Sequence, residues 1–309
     1  MQICRRLEEL QELDQPLHLA LGVFDGVHLG HQAVIQRALD AAKEDGGLAG
    51  LLTFDPHPIE VMAPAKAPRA LLATLNHKAN FVESLGVELL VPIQFDLAFA
   101  EKEAADFIAE LLKAPVKTIA VGEDWRFGHM RKGDIDLLGQ LAPELGYQLE
   151  AVPPVMYEGD RISSTRIRQA VRDGNLKAAG EMLGRPYSMR AKVVEGKKLG
   201  RDFGFPTANL VVGRRQCPPN GVWTVIADVN GEWLPGVANL GTRPSVEGDE
   251  LLLEVHFLDF DDDIYDEEIE VRFEDYLRPE KAFASLDDLK AQIAADVEES
   301  RHKLGLSNQ

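Results

Sequence analysis

The sequence predicts an α/β doubly wound domain followed by a small antiparallel β-barrel domain with a C-terminal helix. Three observations predict it. Residues 17–184 alternate short, continuous apolar runs with amphipathic helical patterns. Downstream of Gly184-Arg185-Pro186 the pattern changes to strand-like runs separated by Gly, Pro and Asn. The length, 309 residues, suits two domains, since single domains usually run about 100–200 residues. The expected division is 1–184 and 185–309.

In the first domain LHLALGV (17–23), LAGLLTF (48–54), ELLVPIQF (88–95) and VKTIAV (116–121) read as strands. Uninterrupted apolar strands indicate a parallel sheet covered on both faces. Helical patterns across GHQAVIQRALDAAKE and at 76–85, 101–113 and 134–144 supply the cover. Ligands of such sheets bind beyond the carboxyl ends of the strands. In the second domain MRAKVVEG, GVWTVIADV, EWLPGVANL, LLLEVHFLDF and IEVRFEDYL read as strands. Asn230-Gly231 is a type I′ hairpin signal. A final helix is expected at 286–304, opened by Ser285 with Asp288 three residues on, its apolar face formed by Leu286, Leu289, Ile293 and Val297.

The net charge of -18 argues against a non-specific nucleic-acid groove, which needs clustered Lys and Arg. The two cysteines, Cys4 and Cys217, stand far apart with no CxxC spacing, which fits a reducing compartment. Charges interrupt the opening MQICRRLEELQEL, and no apolar run approaches the ~20 residues of a membrane helix. The expectation is a cytoplasmic protein without a membrane or nucleic-acid partner.

Gly22-Val23-Phe24-Asp25-Gly26-Val27-His28-Leu29-Gly30-His31 leaves the first strand and opens a helix. Glycines let backbone approach a ligand there, and the helix start offers free N–H groups to an anion. His28 and His31 lie on one side of the first turn and can donate hydrogen bonds to phosphate oxygens. A pair of ordinary histidines or a metal pair are the alternatives, although zinc helices more often use i, i+4 spacing. Near the domain's end, Ile162-Ser163-Ser164-Thr165-Arg166-Ile167-Arg168 starts another helix. Simple capping explains the hydroxyls. Two arginines at a helix N-terminus oppose the macrodipole, which suggests an expected anion.

HxGH with SSTxIR resembles the nucleotidyltransferase superfamily. GVFDGVHLGH, TFDPHP (53–58) and VGEDWRFG (121–128) resemble the FAD synthetase module of the bacterial bifunctional riboflavin kinase/FMN adenylyltransferases. The resemblance implies that Gly22, Phe24, Asp25, Gly26, His28, His31, Ser164, Thr165 and Arg168 serve ATP. It puts Asp124 and Phe127 on the flavin side, with Trp125 where the family usually has Phe. FMN would attack the α-phosphorus, giving FAD and pyrophosphate.

No GxxxxGK[ST] and no HRD…DFG set is present. The second domain instead carries Gly204-Phe205-Pro206-Thr207-Ala208-Asn209. Thr207 and Asn209 share a face of an extended segment, and their oxygens suit a magnesium ion held by nucleotide phosphates. An ordinary turn is the alternative. Glu254, in the strand LLLEVHF, is a candidate base for a substrate hydroxyl or a solvent-facing glutamate beside His256. GRDFGFPTANL, LEVHFLDF and YLRPEKAFASLDDLKAQIAADV resemble riboflavin kinase. That resemblance implies Mg²⁺-ATP at Gly204, Pro206, Thr207 and Asn209, a catalytic base at Glu254, and flavin beside Arg278. Ala191, Ser245 and Asp266 depart from the family's usual Gly, Thr and Gly. Asp259, Asp261, Asp263 and Glu270 imitate a calcium loop, but Ile264 occupies the position that needs Gly, and the flanks read as strands. A binding protein without turnover and an enzyme with one activity are the rival readings.

Overall fold

The computed structural model describes residues 1–66, 71–196, 205–245, 248–260 and 262–306, with backbone alone for 66, 243–245 and 248–250. Gly204 and Asp261 lie outside the described residues. The chain divides into two compact units, Met1–Ser164 and Thr165–Gln309.

The first unit is built on six parallel strands: β1 (Gln2–Ile3), β2 (Leu17–Leu21), β3 (Leu48–Asp55), β4 (Leu89–Gln94), β5 (Val116–Gly122) and β6 (Gln148–Val152). Their order is β1-β4-β3-β2-β5-β6, and a two-stranded hairpin of β7 (Met156–Tyr157) and β8 (Asp160–Arg161) follows. Alternate residues feed two separate cores. Leu19, Leu21, Val91, Ile119 and Val121 pack on one face with Phe107, Ile108 and Leu111 of the helix Ala104–Leu111. Ala20, Leu51, Leu90 and Ala120 pack on the other with Val34, Ile35 and Ala38 of the helix Leu29–Asp45. Burial on both faces is why these strands carry apolar residues without alternation. β3 and β5 flank β2, so the strand order reverses between β2 and β5. The loops leaving those two strands, 22–28 and 123–128, bound the crevice at this switch point.

The helix expected at 101–113 is observed over Ala104–Leu111. A short turn, Leu97–Ala100, is capped by Asp96, which accepts from Phe99 N at 2.7 Å, and a second helix begins at Ala104. At the break, the Lys102 carbonyl accepts from His129 N at 2.8 Å. β1 and β6 are edge strands that the apolar runs do not announce.

The second unit holds the helix Leu176–Leu183 and most of Ser164–Arg172. A closed antiparallel barrel follows: β9 (Ser188–Val194), β10 (Ala208–Val211), β11 (Gly221–Val229), β12 (Glu232–Ser245), β13 (Gly248–Phe257) and β14 (Glu268–Arg278). They close in the order β10-β13-β12-β11-β14-β9. Asn230 and Gly231 have φ of 54° and 90°, the two left-handed residues a type I′ hairpin requires. Asp266 takes a φ of 66°, so the turn accepts aspartate in left-handed geometry.

The helix Leu286–Lys303 closes the unit, capped by Ser285. Its packed face keeps Leu289, Ile293 and Val297 of the expected stripe, all half-buried, but adds polar residues. Leu286 is exposed, whereas Asp296 and Ser300 are buried. Both are satisfied there: Asp296 accepts from Arg278 Nε at 2.9 Å and Nη2 at 2.7 Å, and the Ser300 and Thr224 hydroxyls are 2.9 Å apart. Removing one partner of a buried ion pair typically costs about 3–5 kcal/mol. Asp296→Ala is therefore expected to lower the unfolding midpoint of the barrel by several degrees, measured by calorimetry. An unchanged midpoint would show that the helix docks without this pair.

Candidate active sites of the two modules

The loop after β2 is shaped by its own buried groups. Gly26 has a φ of +82°, and a Cβ there would stand 2.7 Å from Leu72. The Asp25 carboxylate accepts from the backbone N–H groups of Leu72 (3.0 Å) and Ala73 (3.2 Å). Phe24, also left-handed at 52°, is buried in the core, its ring edge-on to His31 with 5.1 Å between the ring centroids. Asp25 and Phe24 thus fix the loop and support the histidines from behind. Gly22 lies over the Phe24 ring, 3.1 Å from a would-be Cβ. Ser164 donates its hydroxyl to the Asp25 carbonyl at 2.9 Å. Thr165 and Arg168 follow on the helix that Ser164 begins, Thr165 exposed and Arg168 half-buried.

His28 is the N-cap of the helix Leu29–Asp45, its Nδ1 accepting from His31 N at 3.3 Å. The two imidazoles stack at 3.6 Å with 15° between their planes. Nearly parallel rings do not aim their lone pairs at one centre, so this arrangement does not suit a chelated metal. With Nδ1 accepting, neutral His28 carries its proton on Nε2. His31 Nδ1 is buried with no hydrogen-bond partner. Burial holds His31 well below the usual imidazole range, helped by the charges of His28, Lys78 and Arg161. The stacked imidazoles therefore head the helix at the switch point, with His31 held neutral.

On the loop after β5, Trp125 stacks on Phe127 at 4.3 Å with 11° between the rings. Phe127 is the buried member and meets Phe107, whereas Trp125 is half-buried. A flat ligand would therefore meet Trp125. Asp124, largely exposed, is paired with Arg161.

In the barrel, Asn209 of β10 and Asn239 of β12 are the register partners of Glu254 on β13 from either side. Directly opposed residues of antiparallel strands project to one face with Cβ atoms about 5 Å apart. Leu253, Val255 and Phe257 are buried, and Glu254 and His256 form the half-buried alternate row. Asn209 donates to the Thr207 carbonyl at 3.3 Å and packs so closely on Gly196 that any Cβ there would overlap its amide. The Pro206 carbonyl lies 2.8 Å from His256 Nδ1, and Phe205 meets the same ring edge-on. Burial lowers the His256 pKa. Asn239, which the sequence reading missed, donates to Glu280 Oε1 at 3.2 Å. Its signal was a polar residue alternating with buried Ala238 and Leu240. Arg278 is half-buried, and most of its guanidinium is committed to Asp296, so its first role is to hold the last helix.

Two family models divide the chain between them: FAD synthetase matches residues 10–166 and riboflavin kinase matches residues 183–304. The bifunctional riboflavin kinase/FMN adenylyltransferase of Escherichia coli strain K12 is 40% identical over 99% of this chain and 99% of its own length. The chain belongs to this bifunctional family. The relative from Pseudomonas fluorescens is 39% identical, with 97% of each chain covered. A solved structure titled as a macrolide-efflux protein from Streptococcus pneumoniae superposes with a TM-score of 0.84 at 33% identity, covering 97% of this chain and 98% of that one. Among the described residues of this family member, no helix is long and apolar enough to cross a membrane.

Proposed function

We propose that the chain phosphorylates riboflavin to FMN on its barrel module, residues 185–309, and adenylylates FMN to FAD on residues 1–184. The observation that carries this reading is that each module keeps a site of its own: the stacked His28–His31 pair, and the Asn209–Glu254–Asn239 row.

In the kinase step the Glu254 carboxylate accepts the proton of the riboflavin primary hydroxyl as that oxygen attacks the γ-phosphorus of ATP, and ADP leaves. Thr207 and Asn209 offer neutral oxygens beside that carboxylate, a donor set that suits Mg²⁺ whose remaining ligands are phosphate oxygens and water. The ion, when bound, neutralises charge on the transferring phosphate. His256 steadies the segment through the Pro206 carbonyl.

In the adenylylation step an FMN phosphate oxygen attacks the α-phosphorus of ATP, and pyrophosphate leaves. His28 and His31 donate to phosphate oxygens as charge moves onto the leaving group. Ser164, Thr165 and Arg168 add donors, with Gly22 and Gly26 giving backbone access. Trp125 over Phe127 offers a face to the flavin, with Asp124 beside it. Two free cysteines support a cytoplasmic location.

Incubation with riboflavin, ATP and Mg²⁺ is expected to give both FMN and FAD on chromatography. FMN alone would sink the adenylylation half. Flavin binding without either product would favour a binding protein.

A further inference from the structure

Lys78, on the helix Leu75–Ser84, is buried at 6% exposure, and neither step above uses it. Its ammonium donates to the Val23 carbonyl at 2.7 Å and to Thr53 Oγ1 at 2.9 Å. The Thr53 hydroxyl itself donates to the Val23 carbonyl at 2.9 Å. Both acceptors are neutral, and a lysine ammonium has three donors. Such a charge is costly to bury, and burial brings Lys78 down to about 8, with Asp25 and Asp55 opposing the fall. Packing does not require the charge. A methionine would fill the space, and Thr53 alone would still satisfy the Val23 carbonyl.

The position explains the expense. Val23 starts the loop that carries Phe24, Asp25 and His28, and Thr53 lies near the carboxyl end of β3. We propose that Lys78 is a positioning residue for adenylyl transfer: its ammonium locks the origin of loop 22–28 to the end of β3 and places a positive charge behind the His28–His31 pair. This rests on the reading that the pair faces the triphosphate of ATP. The groups that face Lys78 are Asp25 on the loop, Asp55 at the end of β3 and His31 on the first long helix. His28 and Arg161 act on His31 from the loop and from the strand Asp160–Arg161. His77 is its neighbour on its own helix.

The test uses Lys78→Met and Lys78→Arg in the full-length protein. For Lys78→Met, kcat for FAD formation from supplied FMN falls by roughly tenfold to 10²-fold, the range expected when reacting groups are misplaced. FMN formation from riboflavin by the same preparation stays within about twofold of wild type. The His31 ring, followed by NMR, titrates at higher pH in Lys78→Met, because a positive neighbour has gone, and unchanged in Lys78→Arg. A lysine whose charge does not reach the histidine pair would leave that titration unmoved. Wild-type FAD formation at Lys78→Met, or an unmoved His31, overturns the proposal. If Lys78→Met does not fold, the wild-type protein decides: kcat/KM for FAD formation, which reports the free enzyme, declines with a midpoint near pH 8, and that for FMN formation does not. A flat FAD profile from about pH 7 to 9 also overturns the proposal. Undiminished FAD formation by His31→Ala in the same assay would instead remove the reading beneath it.

Discussion

Glu254→Gln is expected to abolish FMN formation while FAD formation from supplied FMN continues at the wild-type rate. The substitution keeps side-chain volume and hydrogen-bonding capacity on a half-buried face, so the barrel should hold. What it removes is the capacity to accept a proton. Glu254 stands in register between Asn209 and Asn239, whose amides can orient a carboxylate but cannot replace its basicity. General-base contributions are commonly about 10²–10⁴-fold. The loss should fall on kcat, with the KM for riboflavin little changed, since the interaction matures only as the hydroxyl attacks. The second activity resides in the other unit and serves as the internal control for folding. A kinase rate within a few-fold of wild type would reduce Glu254 to a surface strand residue.

His28→Ala and His31→Ala should each damage FAD formation and spare the kinase. Loss of one preorganised donor to a developing oxyanion commonly costs about 2.7–4 kcal/mol, or roughly 10²–10³-fold in kcat. The two substitutions should differ in stability. His28 is also the helix N-cap, and removing a cap costs about 1 kcal/mol. His28→Asn should therefore recover the unfolding midpoint lost in His28→Ala without recovering the rate. His31 adds a pH dependence. Its folded pKa lies below the unfolded value, so acidification through the unfolded value favours the unfolded chain, which binds the proton more readily. His31→Ala should flatten that acid-side loss of stability. If both alanine variants make FAD at the wild-type rate, the phosphate-site assignment is wrong.

The architecture was legible because its signals are local. Strands buried on both faces must be apolar throughout, and the Asn230-Gly231 turn names its own geometry. The edge strands β1 and β6 lacked that signal, one by shortness and the other by polar residues. The motif histidines head the helix after β2, and Asn209 and Glu254 are register partners on β10 and β13. What spacing could not tell is which motif side chains are already engaged. Asp25 is held by the backbone of Leu72 and Ala73, and Arg278 by Asp296, partners 47 and 18 residues away. Buried Asp296 and Ser300 follow the same logic: the groups that make their burial tolerable lie on β14 and β11. Lys78 was invisible for the related reason that its acceptors are a carbonyl and a hydroxyl from two other strand ends.

The sequestered amine implies a trade between endurance and turnover. A lysine whose pKa drops from 10.5 to about 8 on folding leaves the native state holding fewer protons than the unfolded chain across that interval. Below pH 8 the native state bears the full penalty, and the penalty is relieved as the pH climbs toward 10.5. At 1.36 kcal/mol per pKa unit, this is about 3 kcal/mol forgone at neutral pH. Lys78→Met should then yield a hardier protein that is a poorer catalyst, melting several degrees higher. The wild-type chain would be resting below its attainable stability at the place where adenylyl transfer requires a fixed charge.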